Sequence, residues 1–181
     1  QQENSVVTLT LNRPKQFNAL SEAMLSKLQH ELDYIATNED IRLVILQGAG
    51  KVFCAGHDLK EMISKRKEEY YRTLFLQCSK MMMTLNQIPQ PIIAKVHGIA
   101  TAAGCQLVAA CDLAVAAEGT KFATSGINVG LFCSTPAVPV SRNISRKRAM
   151  ELLLTGEFIE ADTALKWGLL NRVAPLEKLD E

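Results

Sequence analysis

The chain lacks an excess of charge of either sign: lysine and arginine together number 20, aspartate and glutamate 19, for a formal net charge of +1. No bulk field draws it to nucleic acid or to an anionic membrane, and neither is expected as a partner. The local basic run Lys65, Arg66, Lys67 is followed at once by Glu68 and Glu69 and reads as a solvated helix end. No apolar run is long enough to span a bilayer, and no secretory or transit segment is visible. Gln1 is not an initiator methionine, so the chain is read as starting inside a longer one. Low-complexity tracts and linkers are also missing.

Cys54, Cys78, Cys105, Cys111 and Cys133 show neither metal-ligand nor disulfide-framework spacing. Their neighbours are apolar, which predicts buried, reduced thiols and an intracellular compartment. No metal and no separate cofactor is expected.

What is present suffices for a folded core. Apolar residues make up 48% of 181 positions, and residues 1–181 are expected to form a single domain. Val6–Leu11 is β-branched and aliphatic and reads as a strand. Ser21 is a candidate N-cap for a helix carrying Leu25, Leu28, Leu32 and Ile35 at helical spacing, with Asn38 as its stop. A strand is expected at 42–47 and a helix from Glu68 to Asn86. The pattern then gives a strand at Ile92–Val96, a wholly apolar helix at Ala103–Ala110, and strands at 112–116 and 121–123. Residues 130–140 carry two prolines and are read as irregular. Helices at Arg146–Thr155 and Ala161–Trp167 precede a last strand at 171–174, and Gly168 is read as the stop of the second. Strands alternating with helices imply an α/β fold with crossover connections.

Two stretches share a design suited to chemistry. In KVFCAGHDLK, residues 51–60, a buried strand gives way to small residues and then to a helix start; residues 92–104 repeat the plan, with Ala102, Ala103 and Gly104 opening the second helix. Small side chains admit a ligand close to the backbone, and N–H groups at a helix start lack partners. Two such starts facing each other would offer two donors to one developing negative oxygen.

The blocks LNRPK at 11–15 with Asn18, Ala19 and Leu20, FCAGHDLKEM at 53–62, PIIA at 91–94 with Gly98, AGC at 103–105, CDL at 111–113, and LTG at 154–156 with Ala161, Ala164, Gly168 and Leu169 come in this order along the chain. In them the chain resembles the enoyl-CoA hydratase/isomerase, or crotonase, family. The resemblance implies a crotonase-like spiral of repeated ββα units and an acyl-CoA thioester ligand. It also implies trimers or pairs of trimers, held by C-terminal helices not seen in this sequence. CoA enters as part of the substrate. By motif position the two N–H donors belong to His57 and Ala103. Lys15, Gln16 and Phe17 line the CoA arm, and Ala55, Asp58, Leu59, Lys60 and Gly104 lie beside the thioester. Such proteins occupy the mitochondrial matrix in eukaryotes and the cytoplasm in bacteria.

Typical hydratases hold the attacking water between two glutamates. The matching positions here are Gln106, which can position a water or substrate but accepts no proton at neutral pH, and Gly126, which has no side chain. General acid–base catalysis contributes roughly 10²–10⁴-fold, so ordinary hydration is not expected. The His57 ring is a candidate acid or base, or a group turned to solvent or to the CoA arm. His97, Asp112 and Cys105 are read as structural, His30 as exposed, Asp58 as a helix cap, and Ser125 as a neighbour able to orient a small group. Three functions stay open: altered enoyl-CoA chemistry, decarboxylation of a malonyl-type ester, and acyl-CoA binding without catalysis.

Overall fold

The computed structural model describes residues 2–181. In chain order the elements are β1 (Gln2–Glu3), β2 (Val6–Leu11), α1 (Glu22–Thr37), β3 (Leu43–Gly48), α2 (Leu59–Ser64), α3 (Glu68–Leu85), β4 (Ile92–Val96), β5 (Ile99–Thr101) and α4 (Ala103–Ala110). They continue with β6 (Leu113–Ala117), β7 (Lys121–Ala123), α5 (Ser134–Asn143), α6 (Arg146–Thr155), β8 (Ile159–Glu160), α7 (Ala161–Trp167) and β9 (Arg172–Ala174). Single 3₁₀ turns occur at Pro14–Gln16, Ser125–Val129 and Leu176–Lys178.

One sheet has the order β1-β2-β3-β4-β6-β9, parallel except at β1, and a second runs β5-β7-β8. Isolated parallel bridges, Cys54 to Ala100 and Leu20 to His57, carry backbone pairing beyond β5 toward α1. Each turn of the chain therefore places one strand in the large sheet, one short extended segment against its neighbours, and then a helix. β3, Cys54 and α2–α3 form one turn; β4, β5 and α4 the next; β6, β7 and α5–α6 the next. This is the repeated ββα spiral, and its crossovers bury the parallel strands on both sides.

The sequence signals explain the elements. Ser21 caps α1, its Oγ accepting the Met24 N–H at 3.2 Å, and Leu25, Leu28, Leu32 and Ile35 are buried as their spacing predicts. All eight residues of α4 are buried, because alanines, Gly104 and Cys105 let it sit deep between neighbours. Asp112 lies just before β6 and accepts the Ile92 N–H at 2.8 Å, tying β4 to β6. Gly156 and Gly168 end α6 and α7 in the left-handed region.

One expectation fails. Residues 134–143, most of which fall in the stretch read as irregular, form helix α5. Pro136 falls in its first turn, where the missing N–H costs nothing, and Pro139 forfeits a single bond to residue 135. Burial of Pro136 and Val140 outweighs that loss.

Asn18 stitches the loop after β2 to the loop after β3. Fully buried, it donates from Nδ2 to the Ala49 and Val52 carbonyls at 2.8 Å each, and its Oδ1 accepts the Arg13 N–H at 2.9 Å. Asn18→Ala strands these groups and is expected to cost about 2–4 kcal/mol in urea unfolding. A loss under about 1 kcal/mol would mean the loops hold without it.

Candidate functional site

The site begins at the Cys54–Ala100 bridge. Cys54 N–H donates to the Ile99 carbonyl at 3.1 Å, and Thr101 N–H donates to the Cys54 carbonyl at 3.0 Å. Both chains leave this parallel pairing in the same direction, and His57 and Ala103 each stand three residues beyond it. Gly56 turns the first chain at φ +91°, and a methyl group there would lie 2.9 Å from the Ala102 Cβ and 3.2 Å from the Ala103 nitrogen. Only glycine lets the two loops approach this closely.

The backbone pattern then exposes one donor from each loop. Leu20 N–H donates to the Gly56 carbonyl at 2.8 Å, and Asp58 N–H donates to the Leu20 carbonyl at 3.1 Å. These bonds use the groups on either side of His57 and turn its own N–H away from Leu20. Ala103 is the first residue of α4, where no intrahelical acceptor exists. Among the described residues neither N–H has an acceptor. Ala102, just before, holds φ 51° and ψ −119°, a conformation that costs about 1–3 kcal/mol for a residue with a Cβ. Its N–H donates to the Ala123 carbonyl at 2.9 Å, which anchors the strained turn.

A cleft of about 1450 Å³ adjoins the first loop. Lys15, Gln16 and Phe17 line it on one side, and Ala55, His57, Asp58, Leu59 and Lys60 on the other. Phe17 sits at φ 51° with its ring mostly exposed. Asp58 caps α2, Oδ1 accepting the Glu61 N–H at 3.2 Å, while Oδ2 pairs with Arg13 at 3.0 Å. Burial alone would raise this carboxyl's pKa; the helix N–H and Arg13 outweigh it and hold the group below its ordinary value.

The His57 ring borders the cleft with its nitrogens turned away from solvent. Both ring nitrogens are shielded and unpartnered, and the ring meets Phe75 edge-on at 5.4 Å between centroids. Burial lowers the imidazole pKa from 6.5 and outweighs the Leu20 backbone, which acts to raise it, so the neutral form is favoured.

The remaining residues do not line the large cleft. Gly104 presses α4 against the Cys54 carbonyl, where a Cβ would come within 2.2 Å, and it lines neither cavity. Gln106 is buried, its Oε1 without a partner, and it lines a second cavity of about 470 Å³. A Cβ on Gly126 would meet the Leu131 carbonyl at 2.4 Å and the Cys133 Sγ at 2.8 Å, so a larger residue there requires residues 131–133 to move. Ser125 and Thr101 share a hydroxyl–hydroxyl bond of 2.7 Å. His97 Nε2 lies 2.8 Å from the Gly50 carbonyl, a structural contact, and His30 is exposed. The Cys54 and Cys105 thiols are pushed up to about 12 by burial and are unreactive. Among the described residues no cluster of His, Cys, Asp or Glu is placed to hold a metal.

Sequence reading did not single out Phe75, the strain at Ala102, the Arg13–Asp58 pair or the second cavity. Proximity of positions far apart in the chain leaves no local pattern. The one available signal was an alanine where a turn calls for glycine.

This geometry belongs to a known class. The profile of the enoyl-CoA hydratase/isomerase family matches residues 1–181, and the chain belongs to that family. The crystal structure of an enoyl-CoA hydratase from Mycobacterium smegmatis superposes with a TM-score of 0.97 at 58% identity, covering 99% of this chain and 70% of that one. The α/β spiral is thus the crotonase fold. The chain is also 48% identical to the mitochondrial enoyl-CoA hydratase domain-containing protein 3 of Rattus norvegicus over 180 residues. The human protein of that name has a crystal structure that superposes at a TM-score of 0.96 with 47% identity, covering 99% of this chain and 71% of that one. The chain spans about 60% of the length of the rat relative.

The buried imidazole has a consequence for stability. The unfolded chain binds a proton at an unperturbed histidine pKa, near 6.5, and the native ring does so only at lower pH. The contribution is complete above that value and is lost as pH falls below it. Urea midpoints are expected to drop from about pH 7 to about pH 5, and less steeply in His57→Phe. Equal slopes in the two proteins would place the ring in water.

Proposed function

We propose that the chain binds an acyl-CoA thioester with its carbonyl oxygen between the N–H groups of His57 and Ala103. The supporting observation is the pair of unpartnered donors set at equal offsets from the Cys54–Ala100 bridge. As the α carbon gains carbanion character, charge moves onto this oxygen. Fixed donors stabilise it without reorganising, and one donor is worth roughly 2.7–4 kcal/mol where its removal has been measured in a protease. The N-terminal dipole of α4 adds to the potential at Ala103. The CoA arm runs along the large cleft past Lys15, Gln16, Phe17 and Lys60.

Water addition lacks its proton carriers. Gln106 is an amide, and the space at Gly126 is closed by the Leu131 carbonyl. The site therefore stabilises enolates with no carboxylate pair, and ordinary hydration of 2-enoyl thioesters is not its main reaction. Decarboxylation of a malonyl-type ester is the second reading, favoured by the neutral His57 ring beside the donors. There the bond from the α carbon to the carboxylate breaks, carbon dioxide leaves, its electron pair enters the enolate, and a proton is later added at carbon. Mitochondrial location is part of the proposal for a eukaryotic source, since the rat relative is named mitochondrial, and cytoplasmic location for a bacterial one. So is self-association as trimers or pairs of trimers, supported by the exposed side chains of Leu131, Phe132, Leu154 and Phe158.

Crotonyl-CoA and its S-alkyl thioether analogue, which lacks the carbonyl oxygen, test the reading by calorimetry on the purified full-length protein. The thioester is expected to bind about tenfold tighter, from the two hydrogen bonds. Equal affinities would remove the carbonyl from this position. Hydration of crotonyl-CoA is expected at least about 10²-fold below that of an enzyme with both glutamates. A full rate would overturn the argument from Gln106 and Gly126. Carbon dioxide release from methylmalonyl-CoA supports the second reading, and binding without turnover identifies a non-catalytic binder.

A further inference from the structure

The second cavity is a groove with α4 as its floor. Three helices turn a regular stripe toward it: α4 contributes Gln106, Ala109 and Ala110, α3 contributes Met82 and Met83 with Asn86 at its C-cap, and α5 contributes Val138, Pro139 and Arg142. Spacings of three and four residues place each set on one helical face. The floor helix starts at Ala103, so with a rise of about 1.5 Å per residue the groove runs roughly 5–10 Å along the axis from the proposed carbonyl site. Gln106 is the lining residue of α4 nearest its start at Ala103, and Arg142 lies near the end of α5.

The chemistry of the lining is uneven. Methionine, alanine, valine and proline make most of it apolar. Arg142 is the single cation among the lining residues, and no carboxylate or carbonyl takes its guanidinium among the described residues. The single acid, Asp112, has Oδ2 committed to the Ile92 N–H. Gln106 is 4% exposed with Oε1 unpartnered, so the groove also holds a buried acceptor without a donor. A purely hydrocarbon occupant would leave the Arg142 cation unmatched. A chain apolar along its length and anionic at its far end matches the apolar lining and this cation.

Resting on the thioester reading above, we propose that the groove takes the acyl part of the ligand and that Arg142 binds a terminal carboxylate, so that the preferred ligands are CoA esters of dicarboxylic acids. The guanidinium presents a planar fork suited to a carboxylate. Because Arg142 is exposed, the attraction weakens with salt.

Adipoyl-CoA and hexanoyl-CoA share chain length and differ in the terminal group. Calorimetry on the purified full-length protein at low salt is expected to show adipoyl-CoA bound about tenfold tighter, a preference that shrinks as salt is added. Arg142→Gln is expected to bring the ratio of the two affinities close to one. Val138→Asp, which sets a carboxylate on the exposed part of the same wall, is expected to invert it. Equal affinities in the wild-type protein, or a preference that survives Arg142→Gln, would overturn the assignment. Failure of both esters to bind would overturn the thioester reading, and this inference with it.

Discussion

The Cys54–Ala100 backbone pairing is the constraint on which the site depends. Two hydrogen bonds, 3.0 and 3.1 Å long, hold the loop after β3 alongside the strand that leads into α4. Everything downstream follows from keeping two chains parallel for one residue and then letting both turn. The turn of the first chain needs Gly56, because its α carbon lies against Ala102 and Ala103. The turn of the second is held at Ala102 against its conformational preference by the bond to Ala123. Strain of this kind persists only where the surroundings over-determine it, and here β7 supplies that surrounding.

Burial sets the character of the site. Small residues allow α4 to sink into the core, which removes its first N–H from water and raises what any charge nearby is worth. The same burial keeps the His57 ring neutral and raises the Cys54 and Cys105 thiols out of the reactive range. The site is thus rich in fixed dipoles and poor in groups that carry protons. Arg13 and Asp58 form a partly buried ion pair beside it, and this pair fixes the start of α2.

Local pattern made much of the fold legible. The leucine spacing of α1, the Ser21 cap, the apolar run of α4 and the Gly168 stop are short-range signals, and each corresponds to an observed element. Residues 134–143 resisted because their prolines break a helix by propensity alone, and only burial against α4 decides the outcome. At the site, the order of the motifs pointed to His57 and Ala103, while the placements of Gln106 in the groove lined by α3, α4 and α5 and of Gly104 against a carbonyl had no local signature.

The amino-acid sequence by itself determined the alternation of strands and helices, the family, and the absence of a glutamate at positions 106 and 126. Those are matters of residue type and order, which a linear chain records directly. Tertiary structure alone decided that the His57 ring nitrogens are shielded, that Gly126 has no room to grow, and that α3, α4 and α5 line a groove with Arg142 on its wall. Each of these depends on which distant segments come to lie within a few ångströms, and packing fixes that only when the whole core closes.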